Sequence, residues 1–411
     1  MGKLKIALYT TTFPPKLGGI ATSNYNIYNL LKSDYEIKVF VYNDENPAKQ
    51  EDVIVRQVPK WLISIFLRFV KLYLKKYRSK EALSVTQQNL VFALKIFLLN
   101  KSLHKFQPDL ILIADNGIPA YALKKPTKAK LIWFARNNYY RFKNRALCPT
   151  IDVTDLEIAC SMERRAVKKA DAIVSPSEYM VGVCKKSFDL NIPVFVNHNV
   201  ILTELIETIV KNDINTQLKL PQSYPIVYIP SAGSSIKGKR YVYEIIRRFI
   251  NYTNNQIGFY LSGPLPSDLI FELNLLEHAF IYKPGQLTWE KNLANIKSCT
   301  LCVTPNLIEN YSNALLEAQA VKIPVVAFDT GGNKEIVKHK VTGEIVPYLD
   351  IEKLIERSQK LLKHPETLDR YRLNCEKHVS EIANEAYILE QYHEIFYSLL
   401  NSKDNCTDEI N

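Results

Sequence analysis

Several things are scarce or missing in this chain. Its 411 residues contain no run of 18 uninterrupted apolar residues, so no segment reads as a membrane-spanning helix. The apolar part of Met1–Tyr9 is too short for a signal peptide and reads instead as a buried first strand. Ile6 stands where a myristoylation signal wants Ser or Thr, which argues against that anchor. The seven cysteines are an odd number in a large chain, so reduced thiols in a cytoplasmic setting are expected. Cys299 and Cys302 form one CxxC, but no second pair stands at metal-site spacing, and core packing is the favoured role. Acidic residues are also in deficit, 42 against 53 basic ones, for a net charge of +11. There is no low-complexity tract and no internal repeat.

What is present is an ordinary globular composition, 47% hydrophobic and 23% charged, in a chain too long for one core. Strand-like runs alternate with helix-like ones, the signature of parallel sheets with crossover helices. Strands are expected at residues 5–11, 35–42, 53–58, 109–115, 130–136, 172–176 and 194–200 in the first half. The second half repeats the pattern at 225–229, 258–263, 280–282, 301–305, 324–329 and 343–346. Helices are expected at 21–31, through the basic stretch, and at 85–99 and 153–169. Strand punctuation lapses between 201 and 223, so the chain divides into a first α/β domain at 1–203 and a second at 204–383. Two doubly wound Rossmann-like units are expected rather than one long sheet. An aromatic-rich last helix is expected at 384–400, followed by a polar tail at 401–411.

The positive charge is concentrated. Between Val53 and Pro108 stand eleven basic residues and one acid, Glu81. Within this stretch Ser64, Arg68, Lys71, Lys75 and Arg78 recur at helical steps, leaving Trp61 and its apolar neighbours on the remaining face. With Lys76 added, this makes a basic amphipathic helix suited to an anionic membrane surface. A packed helix with a solvated basic edge is the plainer alternative. Nucleic acid is not the expected partner, because no binding motif accompanies the charge.

Glu309 and Glu317 bracket the run Glu-Asn-Tyr-Ser-Asn-Ala-Leu-Leu-Glu directly after the apolar strand at 301–305. An acid where a strand gives way to a helix sits where parallel sheets bind ligands, and helix amides point at whatever lies there. At 3.6 residues per turn Glu317 is expected about two turns beyond Glu309 on the same helix. Here the chain resembles the retaining glycosyltransferases of family 4, whose GT-B fold carries a Glu-x7-Glu signature. The likeness extends through Glu317-Ala318-Gln319-Ala320, Gly331-Gly332-Asn333-Lys334-Glu335, Thr342-Gly343-Glu344, Ala170-Asp171-Ala172-Ile173-Val174-Ser175-Pro176 and the N-terminal Pro14-Pro15-Lys16-Leu17-Gly18-Gly19.

The resemblance implies a GT-B fold of two Rossmann-like domains facing across a cleft, with the last helix crossing back to the first domain. It implies a UDP- or GDP-sugar donor as substrate, no cofactor and no metal; no Asp-x-Asp pair stands at a strand end. Lys237, followed by Gly238, would bind donor phosphate, together with the amides of Tyr311, Ser312, Asn313, Ala314, Gly18 and Gly19. Glu317 would hold the ribose hydroxyls, Glu309 would act at the donor sugar, and Gly285 would line the base pocket. The acceptor would be a glycan or lipid-linked oligosaccharide on the inner face of the cell membrane.

Three positions depart from the family pattern. Arg136 stands where relatives carry a histidine at the end of the fifth strand; it stays protonated and cannot be a general base, yet could bind a phosphate or acidic sugar. Ser231 and Ala232 stand where relatives often place an arginine, so that phosphate contact is either missing or comes from elsewhere, with Lys239 and Arg240 as the candidates. Lys322 replaces the glycine that closes the signature helix. These departures keep open a non-catalytic binder of nucleotide-sugar or glycan, and a GT-B nucleotide-sugar epimerase is a further alternative because it can share the architecture.

Overall fold

The computed structural model describes residues 3–14, 19–42, 51–55, 58–74, 83–143 and 151–401. The polypeptide forms two units, Met1–Val200 with Glu385–Asn411, and Ile201–Asn384.

The first unit is built on seven parallel strands, β1 Lys5–Thr10, β2 Glu36–Val41, β3 Val53–Val55, β4 Leu110–Ala114, β5 Lys130–Phe134, β6 Ala172–Ser175 and β7 Val194–Val196. Their order is β3-β2-β1-β4-β5-β6-β7. The central strands β1, β4 and β5 are almost wholly apolar and buried, as expected of strands covered by helices on both faces. The covering helices are α1 Gly19–Leu31, α2 Lys60–Leu74, α3 Ser84–Phe106, α4 Val153–Val167 and α5 Glu178–Ser187. Asp152 and Ser177 start α4 and α5 by accepting the amides of Asp155 and Met180. α3 runs one turn and more beyond the expected residue 99, because Leu99, Leu103 and Phe106 continue its buried stripe.

The second unit opens with two short helices, α6 Thr203–Thr208 and α7 Ile214–Leu218, in the stretch where the strand punctuation of the sequence lapses. Ile206, Ile214 and Leu220 anchor this stretch in the core of the second unit, and Asp213 caps α7. Six parallel strands follow: β8 Ile226–Ile229, β9 Gly258–Leu261, β10 Phe280–Tyr282, β11 Leu301–Thr304, β12 Val325–Phe328 and β13 Gly343–Val346. Their order is β10-β9-β8-β11-β12-β13. They are flanked by α8 Lys239–Thr253, α9 Ser267–Asn274, α10 Trp289–Ile296, α11 Asn313–Ala320, α12 Asn333–Ile336, α13 Ile351–Leu362 and α14 Pro365–Ile382. Cys299 and Cys302 are both buried in this core, where burial pushes their thiols up. All five described cysteines are free.

The last helix, α15 Glu385–Asn401, belongs to the first unit. Its Tyr392 meets the ring of Phe134 on β5 edge-on at 6.3 Å, and its Ile388 carbonyl accepts the Asn197 amide at 3.3 Å. Of the expected polar tail at 401–411, Asn401 ends α15 and residues 402–411 lie outside the described residues.

Candidate active site at the switch point of the second sheet

In the second sheet the winding reverses between β8 and β11, and ligands of open parallel sheets bind beyond the carboxyl ends of such strands. Lys237 lies in the loop after β8 and Glu309 in the loop after β11, so the topology alone sets the two loops side by side. They are laced by backbone: the Ile236 carbonyl accepts the amides of Leu307 and Ile308 at 2.9 and 3.1 Å. Gly238 starts α8 with φ +88°, and a β-carbon there would stand 2.1 Å from the Pro305 carbonyl oxygen. Only glycine permits both the left-handed backbone and that approach.

Lys237 Nζ donates to Glu309 Oε2 at 2.5 Å. The same oxygen accepts Asn306 Nδ2 at 2.7 Å, and Asn306 is itself fixed by the Thr304 hydroxyl, which donates to its Oδ1 at 2.7 Å. Glu309, Asn306 and Thr304 are all buried. The carboxylate is thus held by a cation and an amide, charge-assisted bonds that compensate its burial. Asn306 carried no sequence signal other than being a polar residue two positions beyond the end of β11.

The geometry corrects one expectation. Glu309 is not on the helix with Glu317: α11 begins at Asn313 behind its N-cap Ser312, and Glu317 is the fifth helical residue. The segment from Pro305 to Tyr311 is held in a loop instead, by Ile236 on one side and on the other by the Gly332 amide, which donates to the Asn310 carbonyl at 2.6 Å. Tyr311 is buried, while Ser312, Asn313 and Ala314 form the entry to α11, whose first turn carries no acidic side chain. Such an entry presents backbone amides and the positive end of the helix dipole. Glu317 is 8% exposed and accepts the indole N–H of Trp289 at 3.0 Å. Burial pushes its carboxyl up to about 7, against the pull of that hydrogen bond. Gly285 occupies an open turn with φ +81° and nothing near its missing β-carbon.

The two substitutes for the missing arginine are engaged elsewhere: Lys239 pairs with Asp268 of α9, and the Arg240 guanidinium lies 4.8 Å from the Tyr241 ring. Lys322 does adopt the left-handed conformation, φ +65°, in place of glycine.

In the first unit, Arg136 follows β5 and is 8% exposed. Its guanidinium bonds Asn199 and stands 5.3 Å from the Phe134 ring, and burial lowers its proton affinity. The turn that carries it is fixed by Asp115, whose carboxylate accepts the amides of Arg136, Asn137 and Asn138 at 3.1, 2.7 and 2.9 Å. Asp115 was not singled out from sequence; the acid directly after β4 was its only signal. Gly19 is the first residue of α1, with open space around it. Gly18 lies outside the described residues, as do Lys75, Lys76 and Arg78 of the basic stretch. Trp61, Arg68 and Lys71 are exposed on α2. Among the described residues no cluster of His, Cys, Asp or Glu is placed to hold a metal ion, and no helix is long and apolar enough to cross a membrane.

Residues 211–378 match the family described as Glycosyl transferases group 1, so this part of the chain is a glycosyltransferase group 1 domain. A 98-residue segment is 33% identical to a Glycosyltransferase 1 domain-containing protein 1 of Xenopus tropicalis, over 24% of this chain and 27% of that protein. A 144-residue segment is 26% identical to the O-antigen chain mannosyltransferase C of Escherichia coli, over 34% of this chain and 39% of the relative. The matches therefore span well under half the length of these relatives.

Solved structures resemble nearly the whole chain. A sucrose-phosphate synthase of Thermosynechococcus elongatus superposes with a TM-score of 0.75 at 16% identity, over 98% of this chain and 100% of its own. HepE of Anabaena, in complex with UDP and glucose, superposes at 0.67 and 15% identity over 96% and 100%. With two parallel-sheet units of the same kind, the chain has the GT-B fold.

Proposed function

We propose that the protein is a retaining, metal-independent glycosyltransferase of family 4. It would move a hexose from a UDP- or GDP-sugar to a glycan or lipid-linked oligosaccharide at the inner face of the cell membrane. The observation that carries the reading is the Lys237–Glu309 pair, held by two interlaced loops at the switch point of the second sheet. A lysine for the diphosphate and a carboxylate for the sugar stand side by side there, next to the amide-rich entry of α11. HepE with bound UDP-glucose shares this fold, and the mannosyltransferase of Escherichia coli builds an O-antigen chain, which supports the donor and acceptor classes.

In this mechanism the donor diphosphate takes Lys237 from Glu309 and rests on the α11 amides. The bond from the anomeric carbon to the diphosphate oxygen breaks, and the acceptor hydroxyl attacks on the same face. Its proton passes to the departing phosphate. Glu309, released from its lysine, stabilises the positive charge that develops at the sugar. Lys237 and the amides supply the positive field for the leaving group, so no divalent cation is needed. Arg136, set on the rigid turn held by Asp115, would orient an anionic group of the acceptor.

The membrane part rests on α2. Trp61, Ile65, Phe69 and Leu72 fall on one face at helical steps and are exposed, Phe69 by 67%, while Val70 and Leu74 face the protein. Exposed Lys60, Arg68 and Lys71 adjoin that stripe. Apolar residues edged by cations match an anionic lipid surface in both chemistry and charge.

The test is nucleotide release from UDP-, GDP- and ADP-sugars, with and without a membrane lipid extract and with or without EDTA. Release from one donor that needs the extract, survives EDTA and disappears in Glu309→Ala and Lys237→Ala supports the reading. Donor consumption without acceptor would favour an epimerase, and binding without turnover would favour a binding protein.

A further inference from the structure

Trp289 begins α10, behind the N-cap Thr288, and its side chain reaches across to α11. There the indole Nε1 donates to Glu317 Oε1 at 3.0 Å. Among the described residues this is the only hydrogen bond that the carboxylate receives, although the group is more than nine-tenths buried. A tryptophan has one donor and nothing to accept, so the contact serves only the ionised carboxylate or the carbonyl oxygen of a neutral acid. One oxygen is thereby fixed, and the second is left for a ligand.

We propose that Trp289 is a positioning residue that keeps Glu317 oriented and charged, so that the carboxylate accepts hydrogen bonds from the vicinal hydroxyls of a ribose. This rests on the donor-site reading above and names what sets its strength. The chemistry follows from the acceptor count. An ionised carboxylate offers lone pairs on both oxygens to two adjacent hydroxyls, whereas a protonated one turns one oxygen into a competing donor. Glu317 is balanced between these forms near neutrality, so the loss of one N–H changes how much of it is competent.

The surroundings leave the titration to Glu317. α11 contains no other titratable side chain. The phenols of Tyr228 on β8 and Tyr260 on β9 lie within its electrostatic reach, but burial raises both and they stay neutral. On α10, Glu290 and Lys291 are exposed. From the α14 side, His378 is bonded to the Ile336 carbonyl and Glu376 pairs with Lys322 at the surface.

The experiment is calorimetric binding of UDP and of GDP between pH 6 and 9 to the full chain, to Trp289→Phe and to Glu317→Gln. The glutamine variant subtracts the titration of the nucleotide's own phosphate. Wild-type affinity is expected to rise with pH through about 7, where Glu317 ionises. Trp289→Phe keeps the ring and loses the N–H, so its midpoint should lie about one pH unit higher, the worth of one charge-assisted hydrogen bond. Its affinity is then roughly 5- to 10-fold weaker at pH 7 and equal to wild type at pH 9. A midpoint identical to wild type, or a weakening equal at every pH, would overturn the proposal, the latter showing a packing role alone. If the wild type binds neither nucleotide at any pH, the donor-site reading itself falls, and this inference with it.

Discussion

Gly331 lies so close to Glu309 that a β-carbon on it would stand 2.3 Å from the Glu309 carbonyl oxygen. Its φ is +60°, and its neighbour Gly332 donates to the Asn310 carbonyl, so the turn after β12 is the floor on which the Glu309 loop rests. Gly331→Ala therefore meets two obstacles. The left-handed backbone costs an L-residue about 1 to 2 kcal/mol, and the new carbon cannot fit unless the Glu309 backbone moves. The expected outcome is a drop of about 2 to 8 °C in the unfolding midpoint and a loss of turnover well beyond that modest destabilisation. Gly263→Ala is the control, because Gly263 has φ +83° but its β-carbon would have an ordinary 3.6 Å contact. Equal activity losses in the two variants would mean that strain, and not displacement of Glu309, is responsible.

Asn306 is the second support of that carboxylate. Its amide is the neutral donor to Glu309 Oε2, and in the proposed mechanism it would remain when Lys237 moves to a phosphate. Removing it leaves a buried carboxylate short of one bond, a cost of about 1 to 3 kcal/mol. Asn306→Ala should accordingly lose roughly 5- to 100-fold in kcat/KM, with Asn306→Asp worse because a second negative charge faces the first. Calorimetric affinity for the nucleoside diphosphate alone should change little, since in the proposed mechanism Asn306 acts through Glu309 at the sugar. An equal loss of nucleotide affinity and turnover would place Asn306 in phosphate binding instead.

The strands were legible because parallel strands buried on both faces are short apolar runs between punctuating residues, as at β4 Leu-Ile-Leu-Ile-Ala and β12 Val-Val-Ala-Phe. Helices α6 and α7 were not legible, since each is barely longer than a turn and only Ile206 and Ile214 reach the core. Seven intervening residues fit two turns, so local spacing puts Glu309 and Glu317 on one helix. What holds Glu309 off the helix are long-range contacts, from Ile236 and Gly331–Gly332, that no local pattern discloses. Asn306 and Trp289 stayed hidden for the same reason: each matters for one hydrogen bond to a distant glutamate.

Asp115 and Glu163 are buried carboxyls behind the Arg136 turn; burial pushes Asp115 up to about 6, and burial with repulsion from Asp115 pushes Glu163 well above its ordinary range. Glu163 Oε2 accepts the Tyr139 amide at 3.0 Å, while its other oxygen has no partner among the described residues. A raised folded-state value means that the folded form holds its proton more tightly than the unfolded chain. The resulting stability is complete below the unfolded value near 4.5 and is lost as pH rises through the folded one. Wild-type stability of this unit should thus decline as pH rises from about 5 through the folded value of about 6 for Asp115 and on through that of Glu163. Glu163→Gln cannot ionise, so only the Asp115 contribution remains and its profile should be flatter. Hydrogen exchange at the β4 and β5 amides reads this locally, and parallel profiles for the two proteins would refute it.

The exposed stripe of α2 allows a separate test of membrane association. Trp61 and Phe69 are 65% and 67% exposed, and neither belongs to the small cluster of Val70, Leu74 and Leu83 that fixes the helix to the protein. Replacing both by Ser should leave stability nearly unchanged while removing two aromatic anchors, each worth about 1.5 to 3 kcal/mol when fully buried. Insertion into an interface is partial, so a combined loss of about 3 kcal/mol, roughly 100-fold in vesicle partitioning, is expected. Arg68→Gln with Lys71→Gln should weaken binding to anionic vesicles by about 1 kcal/mol per charge and leave the weak binding to neutral vesicles as it is. Cosedimentation over a range of salt distinguishes the two contributions, because only the cationic one is screened. If the serine pair partitions like the wild type, α2 is not the membrane face.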